Sequence, residues 1–503
     1  MTIISRVLQE LERGGEVTGQ TIADLITEHK IPRNRMIGMF NRYKTDSTQE
    51  WYTVGKSSSI FRRVFDDSSK INNQVNVDHF SNICNTKTGY FVGEPITYSV
   101  SEEAKERILI ETKIKEFLNR IDTVDLDTET GKMASICGLG SRLYYINPEG
   151  KEDAMNVPPW ECIFLSDEGS VITPKYAIRY YQTTELDAAG RSQEIIKAEW
   201  FDNTNVTYWT QTTAPPPAPG TQDPATVQKV PTMPYNFTKT GEEPHMFAGM
   251  VPLVGYPNNE ELQGDAEKVL ALIDAYDRTI SDQNSEIEQF RLAYLAMYGY
   301  TDIDEKFINQ MKKTGVVGFA DKDDRMEFIT KTLDGTTVEN HLNRLEQEIY
   351  AISGIPNMRD EAFSGNVSGV ALKFKLFPME VKCKMAENKF SAALHQQFRI
   401  VGTKWGVEGI QFDSDDLVFK FRRNFPLNLA DEAQTATMLK GIVSDETLLS
   451  TLTIVKDPKE EIQKIKAELA EQVDLDQELY LEDIQNGMQG EEQRQKTEEV
   501  TQE

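Results

Sequence analysis

The sequence has few of the residues that hold metal ions or form disulfides. Its 503 residues include four cysteines and five histidines. Cys84, Cys137, Cys162 and Cys383 lie far apart without a CxxC pair, and no histidines form an HExxH motif. These absences argue against a disulfide framework, a zinc cluster and a metalloprotease site.

The motifs of common hydrolases and nucleotide-binding proteins are also missing. No GxSxG nucleophile elbow occurs, and the segment GNVSGVALK lacks the GK[ST] ending of a phosphate-binding loop. The GLG at Gly138–Gly140 has no third glycine and predicts a turn. The sequence therefore favours a protein that is not an enzyme, with no catalytic residues, no metal and no cofactor.

One acidic segment keeps an enzyme open as the weaker alternative. Asp125, Asp127 and Glu129 alternate before Gly131, as ligands of a metal would. A calcium loop needs glycine at its sixth position and an acid at its twelfth, and the residues there are Thr130 and Ile136. The pattern predicts a solvated acidic turn, and a metal-dependent site through Asp125 and Asp127 is the alternative.

Long apolar runs and an excess of positive charge are absent too. No window approaches the roughly 20 apolar residues of a membrane span, and the first residues carry charges where a signal peptide would be apolar. There are 81 acids against 54 bases, a net charge of −27. The sequence predicts a large, acidic, cytosolic protein with more than one packed unit, which does not hold DNA by neutralising phosphates.

The first half of the chain indicates an α+β fold. Short helical patterns and loops fill the first 80 residues, and an amphipathic helix follows, with Ser101 as its cap and an apolar side at Ile108, Ile110, Ile114 and Leu118. Five short β-type runs between about 133 and 209 predict an antiparallel sheet. A proline-rich stretch at 212–231 is then either an excursion between strands or a domain linker.

Two long helices are predicted in the second half, around a small α/β insert. The first has its apolar stripe at Val269, Ile273, Tyr276, Ile280 and Ile287, and spans about 25 residues, or about 38 Å. The second has its stripe at Val338, Leu342, Leu345, Ile349 and Ile352, with a capping box at Thr336 and Glu339. Between them, residues 291–297, 315–319 and 325–332 predict strands, and 304–313 a short helix.

A third long helix is predicted after a polar, glycine-bearing stretch. Its stripe runs through Leu372, Leu376, Met379, Cys383, Ala386, Phe390 and Leu394. Pro378 should kink or interrupt it near Phe377. Residues 417–425 predict a strand, and helices follow, one starting at Asp457–Pro458. The acidic tail from about 485 lacks apolar spacing and is predicted to be disordered.

Four segments stand out in their order along the chain. The residues of the first three are Lys87, Tyr90, Val92, Gly93, Glu94 and Pro95; Val251, Pro252, Asn258, Asn259, Asp265, Leu272, Ile273, Asp274, Tyr276 and Asp277; and Ser368, Gly369, Ala371, Leu372, Met385 and Glu387. The fourth is GIVSDETLL with the later DPKEEI. Together these segments resemble the portal proteins of tailed double-stranded DNA bacteriophages, in particular the SPP1-like branch.

The resemblance implies a portal fold with named parts. They are a mixed α/β wing at 1–263, a stem helix at 264–289, a small α/β clip at 290–334, a second, antiparallel stem helix at 335–354, a tunnel loop at 355–369, a kinked helix and further wing at 370–430, a helical crown at 431–484, and a disordered acidic tail at 485–503. The proline-rich loop is then an insertion in the wing.

The resemblance also implies function and partners. Copies would form a ring, usually of twelve, at one vertex of the virion capsid, assembled in the host cytoplasm. The ring would carry DNA during packaging and ejection and retain it between the two. It would dock the terminase large subunit, the major capsid and scaffolding proteins, and head-completion or adaptor proteins, with no membrane partner. A non-portal helical structural or scaffold protein of a virion remains the main alternative.

Two groups of residues would then meet the DNA. The tunnel-loop group is Asn357, Arg359, Phe363, Ser364, Gly365, Asn366, Ser368, Gly369 and Lys373. The stem acidic faces are Asp274, Asp277, Asp282, Glu286, Glu346 and Glu348. Twelve copies of −27 give −324, so we expect the stem acids to centre the duplex by repulsion, screened over about 8 Å at physiological salt.

Overall fold

The computed structural model describes residues 2–44, 73, 75–101, 106–186, 192–212, 236–290, 294–298, 313, 325–329, 335–359, 369–424, 429–452, 454–455, 458–459 and 461–470. The chain divides into two compact units, Met1–Asn424 and Phe425–Glu503. Among the described helices, none is long and apolar enough to cross a membrane.

The chain begins with two helices, α1 (Ile3–Glu12) and α2 (Gly19–Lys44). Thr2 caps α1, because its hydroxyl accepts the Ser5 N–H. Helix α2 runs for 26 residues with Pro32 inside it. The prediction of short helical pieces was wrong here, because the apolar side of α2 is spread thinly over a long polar segment.

Three helices follow in the first unit: α3 (His79–Val92), α4 (Arg107–Arg120) and α5 (Thr123–Cys137). Helix α4 buries Ile110 and Ile114 as predicted. Its start is later than expected, so Ser101 is not its cap. Ile108 is exposed, and Phe117 occupies the buried position instead.

Two antiparallel sheets form the β region, where one was predicted. Five of their strands coincide with the predicted β-type runs, and the strands at 152–156, 236–244 and 253–257 were not predicted. A three-stranded sheet has the order β3-β2-β9, from β2 (Leu139–Ile146), β3 (Glu152–Asn156) and β9 (Leu253–Pro257). The five-stranded sheet has sequential order, from β4 (Cys162–Leu165), β5 (Tyr176–Leu186), β6 (Ser192–Phe201), β7 (Asn205–Thr212) and β8 (Asn236–Pro244). Helices α1 and α2 pack on this second sheet, and Leu25, Ile178 and Trp200 are part of their shared core.

The proline-rich stretch joins two neighbouring strands. Strands β7 and β8 pair antiparallel from Asn205↔Pro244 to Thr212↔Asn236. Residues 213–235 lie outside the described residues, but they must connect adjacent strands of one sheet. Of the two alternatives for this stretch, the excursion between strands is therefore confirmed, and the domain linker is wrong.

The second half of the first unit contains the long helices. They are α6 (Leu270–Phe290), α7 (Gly335–Ser353) and α8 (Gly369–Val407). Strands β10 (Tyr294–Tyr298) and β11 (Arg325–Ile329) pair antiparallel between α6 and α7, where two strands were predicted. The predicted insert helix at 304–313 and strand at 315–319 lie outside the described residues, apart from Lys313.

The predicted ends and interruptions of these helices need three corrections. A single 3-10 turn, Glu267–Val269, precedes α6, which is 21 residues long instead of about 25. Thr336 lies inside α7 and so does not cap it. Helix α8 is assigned without a break through Pro378, so the helix is not interrupted there.

The first unit ends with β12 (Leu417–Lys420), which pairs with β1 (Thr97–Val100) and confirms the predicted strand. The second unit contains α9 (Leu429–Leu439) and α10 (Asp445–Ser450), with Ser444 capping α10. Pro458, Lys459 and residues 461–470 are helical. Asp457 and the acidic tail at 485–503 lie outside the described residues. Because the paired strands of the described residues are all antiparallel and helices pack against their sheets, the fold is α+β, as predicted.

Candidate functional site

The two predicted stem helices, α6 and α7, form an antiparallel pair. His79 of α3 lies between them: its ring stands 4.6 Å from the ring of Tyr276 and 5.7 Å from that of Tyr350. Tyr276 belongs to the first turns of α6 and Tyr350 to the last turn of α7, so opposite ends of the two helices meet. Burial lowers the pKa of His79, which favours the neutral ring in this contact.

The backbone amides of Asn73, Val75 and Val77 form a ladder of hydrogen bonds with side chains of α6, which sequence reasoning missed. The Val77 N–H donates to the Asp277 carboxylate at 3.1 Å. The Val75 N–H donates to the Ser281 hydroxyl at 2.9 Å, and the Asn73 N–H to Ser285 at 2.9 Å. In an extended chain two residues span about 6.6 Å, and in an α-helix four residues rise about 6 Å. The spacing of every second amide in such a chain therefore matches the spacing of every fourth side chain on α6.

This ladder changes the prediction for Asp277. Its side chain was expected on an acidic face that repels DNA, but the residue is only 3% exposed. Burial raises its pKa to about 6, although the Val77 N–H and Arg42 favour the charged form. The prediction that Asp277 lies on an open acidic face was wrong, because the carboxylate serves as an acceptor for a backbone amide 200 residues away in sequence.

The other predicted stem acids differ in their surroundings. Asp274 pairs with Arg42 of α2 and is mostly buried. Glu346 accepts a hydrogen bond from the Asn357 side chain at 2.9 Å. Asp282 and Glu286 are half-buried, and Glu348 is exposed. Only part of the predicted acidic set is thus presented to solvent.

The predicted tunnel loop is described only at its two ends. Asn357 and Arg359 lie just after α7, and the Arg359 N–H donates to the Asn357 side chain at 3.0 Å. Phe363, Ser364, Gly365, Asn366 and Ser368 lie outside the described residues. Gly369 is the first residue of α8 and Lys373 is exposed on that helix. The helix therefore already includes Gly369, which was expected to be a loop residue.

An open groove of about 550 Å³ lies where this loop leaves α7. Its walls come from the outward side of α7, from the segment after it, and from α8. The lining residues are Asn343, Glu346, Gln347, Tyr350, Ala351, Gly354, Ile355, Pro356, Asn357, Lys375 and Pro378.

A buried ionic cluster joins α3, the segment before α6, and α8. The Lys87 ammonium donates to the Asp265 carboxylate at 2.8 Å and to the Asn258 side chain. The Ser135 hydroxyl also donates to Asp265 at 2.8 Å, and Lys382 lies 3.6 Å from its other oxygen. Burial alone would raise the pKa of Asp265, but the two lysines hold that pKa below its usual value.

This Lys87 cluster was hidden from sequence reasoning, although its members were visible. Lys87, Asn258 and Asp265 are all among the residues that carry the resemblance, yet they come from two separate segments. The residues around Lys87 could have revealed the cluster. Lys87 lies on the same helix as several apolar residues that are buried, so a charged side chain there needs a partner.

A second cluster, at Arg423, lies on the same face of α3. Arg423 pairs with Glu380 at 2.9 Å and with Glu387 at 2.8 Å, both on α8. The Tyr90 hydroxyl donates to Glu380 at 2.9 Å. Tyr90 and Glu387 are again residues of the resemblance. Two clusters therefore bind α3 to the amino-terminal half of α8.

The predicted acidic turn at 122–131 is instead part of α5, and Asp127 is buried. Asp127 accepts from Arg142 at 2.9 Å and from the Tyr98 hydroxyl at 2.7 Å. Arg142 also donates to Gln397 of α8 at 2.8 Å. The prediction of a solvated turn was wrong, because the segment is helical and its buried side, which includes Asp127, Thr130 and Ala134, packs against β2.

The same geometry bears on the metal-dependent alternative. Asp127 already has a full set of protein donors, and Lys132 pairs with Glu129. Across the described ranges, no group of three or more His, Cys, Asp or Glu side chains is placed to hold a metal ion. All four cysteines are free thiols and buried. Burial raises the pKa of Cys162 to about 12, which keeps it protonated.

Comparison with known proteins gives a consistent result. The profile of the family described as "Phage portal protein, SPP1 Gp6-like" matches residues 22–475. The portal protein of Bacillus phage SPP1 is 24% identical over 424 residues, which cover 81% of this chain and 78% of that protein. The portal protein of Clostridium phage phiCD119 is 28% identical over 216 residues, which cover 42% of this chain and 47% of that protein.

Proposed function

The chain belongs to the SPP1 Gp6-like family of phage portal proteins, and from that membership we propose that its copies form a ring-shaped channel for double-stranded DNA. The ring, usually of twelve copies, would occupy one vertex of the virion capsid and serve in DNA packaging, retention and ejection. Residues 264–289 and 335–354 would be its stem, 290–334 its clip, 355–369 its tunnel loop and 431–484 its crown.

The proposal for DNA passage depends on the charge of the helix pair. Helices α6 and α7 together carry eight acids and two arginines. A duplex that must slide cannot form lasting phosphate contacts, because each contact would have to break at every step. Acids in solvent near a channel wall would centre the duplex by repulsion within about 8 Å at physiological salt.

Other partners follow from the same role. The clip would be the docking surface for the terminase large subunit and, after packaging, for head-completion or adaptor proteins. The wing would contact the major capsid and scaffolding proteins. Because the sequence lacks the GK[ST] ending of a phosphate-binding loop, the energy for translocation would come from a separate ATPase.

A charge reversal tests the repulsive channel. Glu339 and Glu348 are exposed on α7, nine residues apart, which places them about half a turn apart around the helix axis. The double variant Glu339→Lys/Glu348→Lys should assemble into rings yet leave less DNA per head, because the added cations hold phosphates. DNA content per head, measured on purified particles, is the readout.

A matched variant controls for net charge. Glu149 and Glu168 are exposed in turns of the β region, so Glu149→Lys/Glu168→Lys makes the same charge change away from the helix pair. Its heads should hold the wild-type amount of DNA. Equal DNA content in both variants would refute the repulsive channel, while electron micrographs of purified wild-type protein without hollow rings would refute the ring itself. Filaments or irregular particles would favour the non-portal structural protein.

A further inference from the structure

The amino-terminal half of α8 is apolar on two opposite sides. One side is buried in the first unit, through Leu376, Met379, Cys383, Ala386 and Phe390. The other side is open: Phe374 is 76% exposed, Phe377 63%, Val381 44% and Met385 55%. We call these four residues the outer stripe.

The outer stripe is a continuous surface. Its members follow one another at intervals of three, four and four residues, and a helical residue turns by about 100°, so all four lie within an arc of about 80°. The stripe is about 16 Å long. Scattered single apolar residues on a surface need no explanation, but two phenylalanines in line with a valine and a methionine are typical of a surface that another protein covers.

Charge and shape beside the outer stripe indicate what covers it. The exposed Lys373 and Lys384 flank it on one side. The groove at the end of α7 borders α8 through Lys375 and Pro378, has the small residues Ala351 and Pro356 in its wall, and includes the Glu346 carboxylate. The groove is thus concave and partly apolar where the stripe is convex and apolar. Its lining holds one carboxylate, Glu346, beside one cation, Lys375, and Lys384 beside the stripe is already paired with Glu387.

We propose that the outer stripe of one copy of this chain packs into the α7–α8 groove of the next copy. The proposal depends on the ring described above. Subunits in a closed ring meet head to tail, so each must present two different, complementary surfaces. The stripe and the groove are two such surfaces on neighbouring parts of one chain, and the contact repeats around the ring.

Assembly of the full chain tests the proposal. The variant Phe377→Glu/Val381→Glu should reduce the fraction of chain in rings by at least on the order of tenfold at a fixed concentration, because each contact would bury unpaired carboxylates. Mass photometry gives the fraction, and circular dichroism checks the fold. Ile31→Glu and Val407→Glu alter residues that are 82% and 77% exposed outside the stripe, and each should assemble as the wild type does.

Cross-linking between copies tests the specific contact. Because all four native cysteines are buried, chains with Phe377→Cys and differently tagged chains with Ala351→Cys carry one reactive thiol each. Mixed rings should yield a disulfide-linked pair containing one chain of each tag, and rings of either variant alone should not.

The outcomes separate the two proposals. A wild-type chain that stays monomeric would refute the proposed ring. Wild-type rings with an unchanged mass for Phe377→Glu/Val381→Glu, or with no mixed disulfide, would overturn the stripe contact and leave the ring standing. Rings of unchanged mass that lose motor binding would assign the stripe to another protein, and unchanged rings with unchanged binding would assign it to residues 360–368. Both results contradict a second copy as the occupant.

Discussion

Asp277 belongs to an acid-rich helix but is not part of its solvent surface. The periodicity of α6 identifies the buried side only for apolar residues, such as Ile273 at 2% exposure. Asp277 stands four residues later on that same side, where the Val77 N–H needs an acceptor. A partner so distant in sequence leaves no local pattern, so the burial could not be read from the helix alone.

Replacing this carboxylate should stabilise the protein in a pH-dependent way. The pKa of Asp277 is raised from 3.8 to about 6 in the folded state. Well below pH 3.8 both states are protonated and nothing is lost, whereas above pH 6 the folded state carries a charge that burial penalises by roughly 2–3 kcal/mol. Asp277→Asn keeps an acceptor for Val77 and removes that penalty. Its thermal midpoint should exceed the wild type's at pH 8, and the difference should shrink towards pH 4.

An exposed acid of the helix pair provides the comparison. Glu348→Gln removes one negative charge from α7 at a residue in solvent. Its thermal midpoint should stay near that of the wild type at both pH values. If Asp277→Asn were less stable than the wild type at pH 8, the carboxylate would instead be held as a charge by Arg42 and the amide.

At the scale of elements, the end of α7 is fixed by a glycine. Gly354 has φ +68°, and its N–H bonds to the Tyr350 carbonyl at 3.0 Å. This is the left-handed residue that often terminates a helix. It directs the chain towards Ile355, which is 1% exposed, and so sets where the predicted tunnel loop begins.

A methyl group at this position should cost stability. Gly354→Ala forces an alanine into the left-handed region, at about 1 kcal/mol. Gly38→Ala makes the same chemical change inside α2, where an added Cβ meets nothing within 4 Å, and should be neutral or stabilising. The thermal midpoint should therefore fall for Gly354→Ala and stay the same or rise for Gly38→Ala. A fall of equal size in both would mean that φ at Gly354 is not what matters.

The elements that the sequence predicts well are those with a local repeat. The stripes of α6, α7 and α8 and the alternation in β5 and β6 follow from burial of one face of each element. The stripe predictions were wrong only at Ile287 and Ile352, near the ends of α6 and α7, which are exposed.

Long α2 was missed because its apolar buried residues are spread thinly along a polar segment. The helical acids of α5 were missed, because its buried face includes polar residues such as Asp127 whose partners lie elsewhere. The ladder of Asn73, Val75 and Val77 was missed for the same reason, because its hydrogen bonds join two segments that are far apart in sequence.

At the scale of the molecule, the residues of the portal resemblance meet in space. Lys87, Asn258 and Asp265 form one buried cluster, and Tyr90 and Glu387 belong to the next, around Arg423. Residues that look like unrelated motifs along the chain are thus in contact with one another, and they join α3, the segment before α6, and α8. This gives a physical reason why such segments occur together: each supplies a partner for the charge of another.

The Lys87 cluster should therefore behave as a unit when one member is removed. Lys87→Met leaves the Asp265 carboxylate buried with only Lys382, 3.6 Å away, as a counter-charge. Breaking a buried pair in this way costs about 3–5 kcal/mol, so the thermal midpoint should fall sharply. The exposed pair of Lys175 with Glu12 serves as the control, since Lys175→Met should change the midpoint little.

A second substitution distinguishes lost charge pairing from lost packing. In Lys87→Met/Asp265→Asn the buried carboxylate is gone, so the double variant should recover part of the stability that Lys87→Met loses. Because the cluster joins the segment before α6 to α8, ring assembly measured on the same samples should recover in parallel. A double variant no more stable than Lys87→Met would mean that the lysine acts through packing of its aliphatic chain, and that the three segments are not held together by charge.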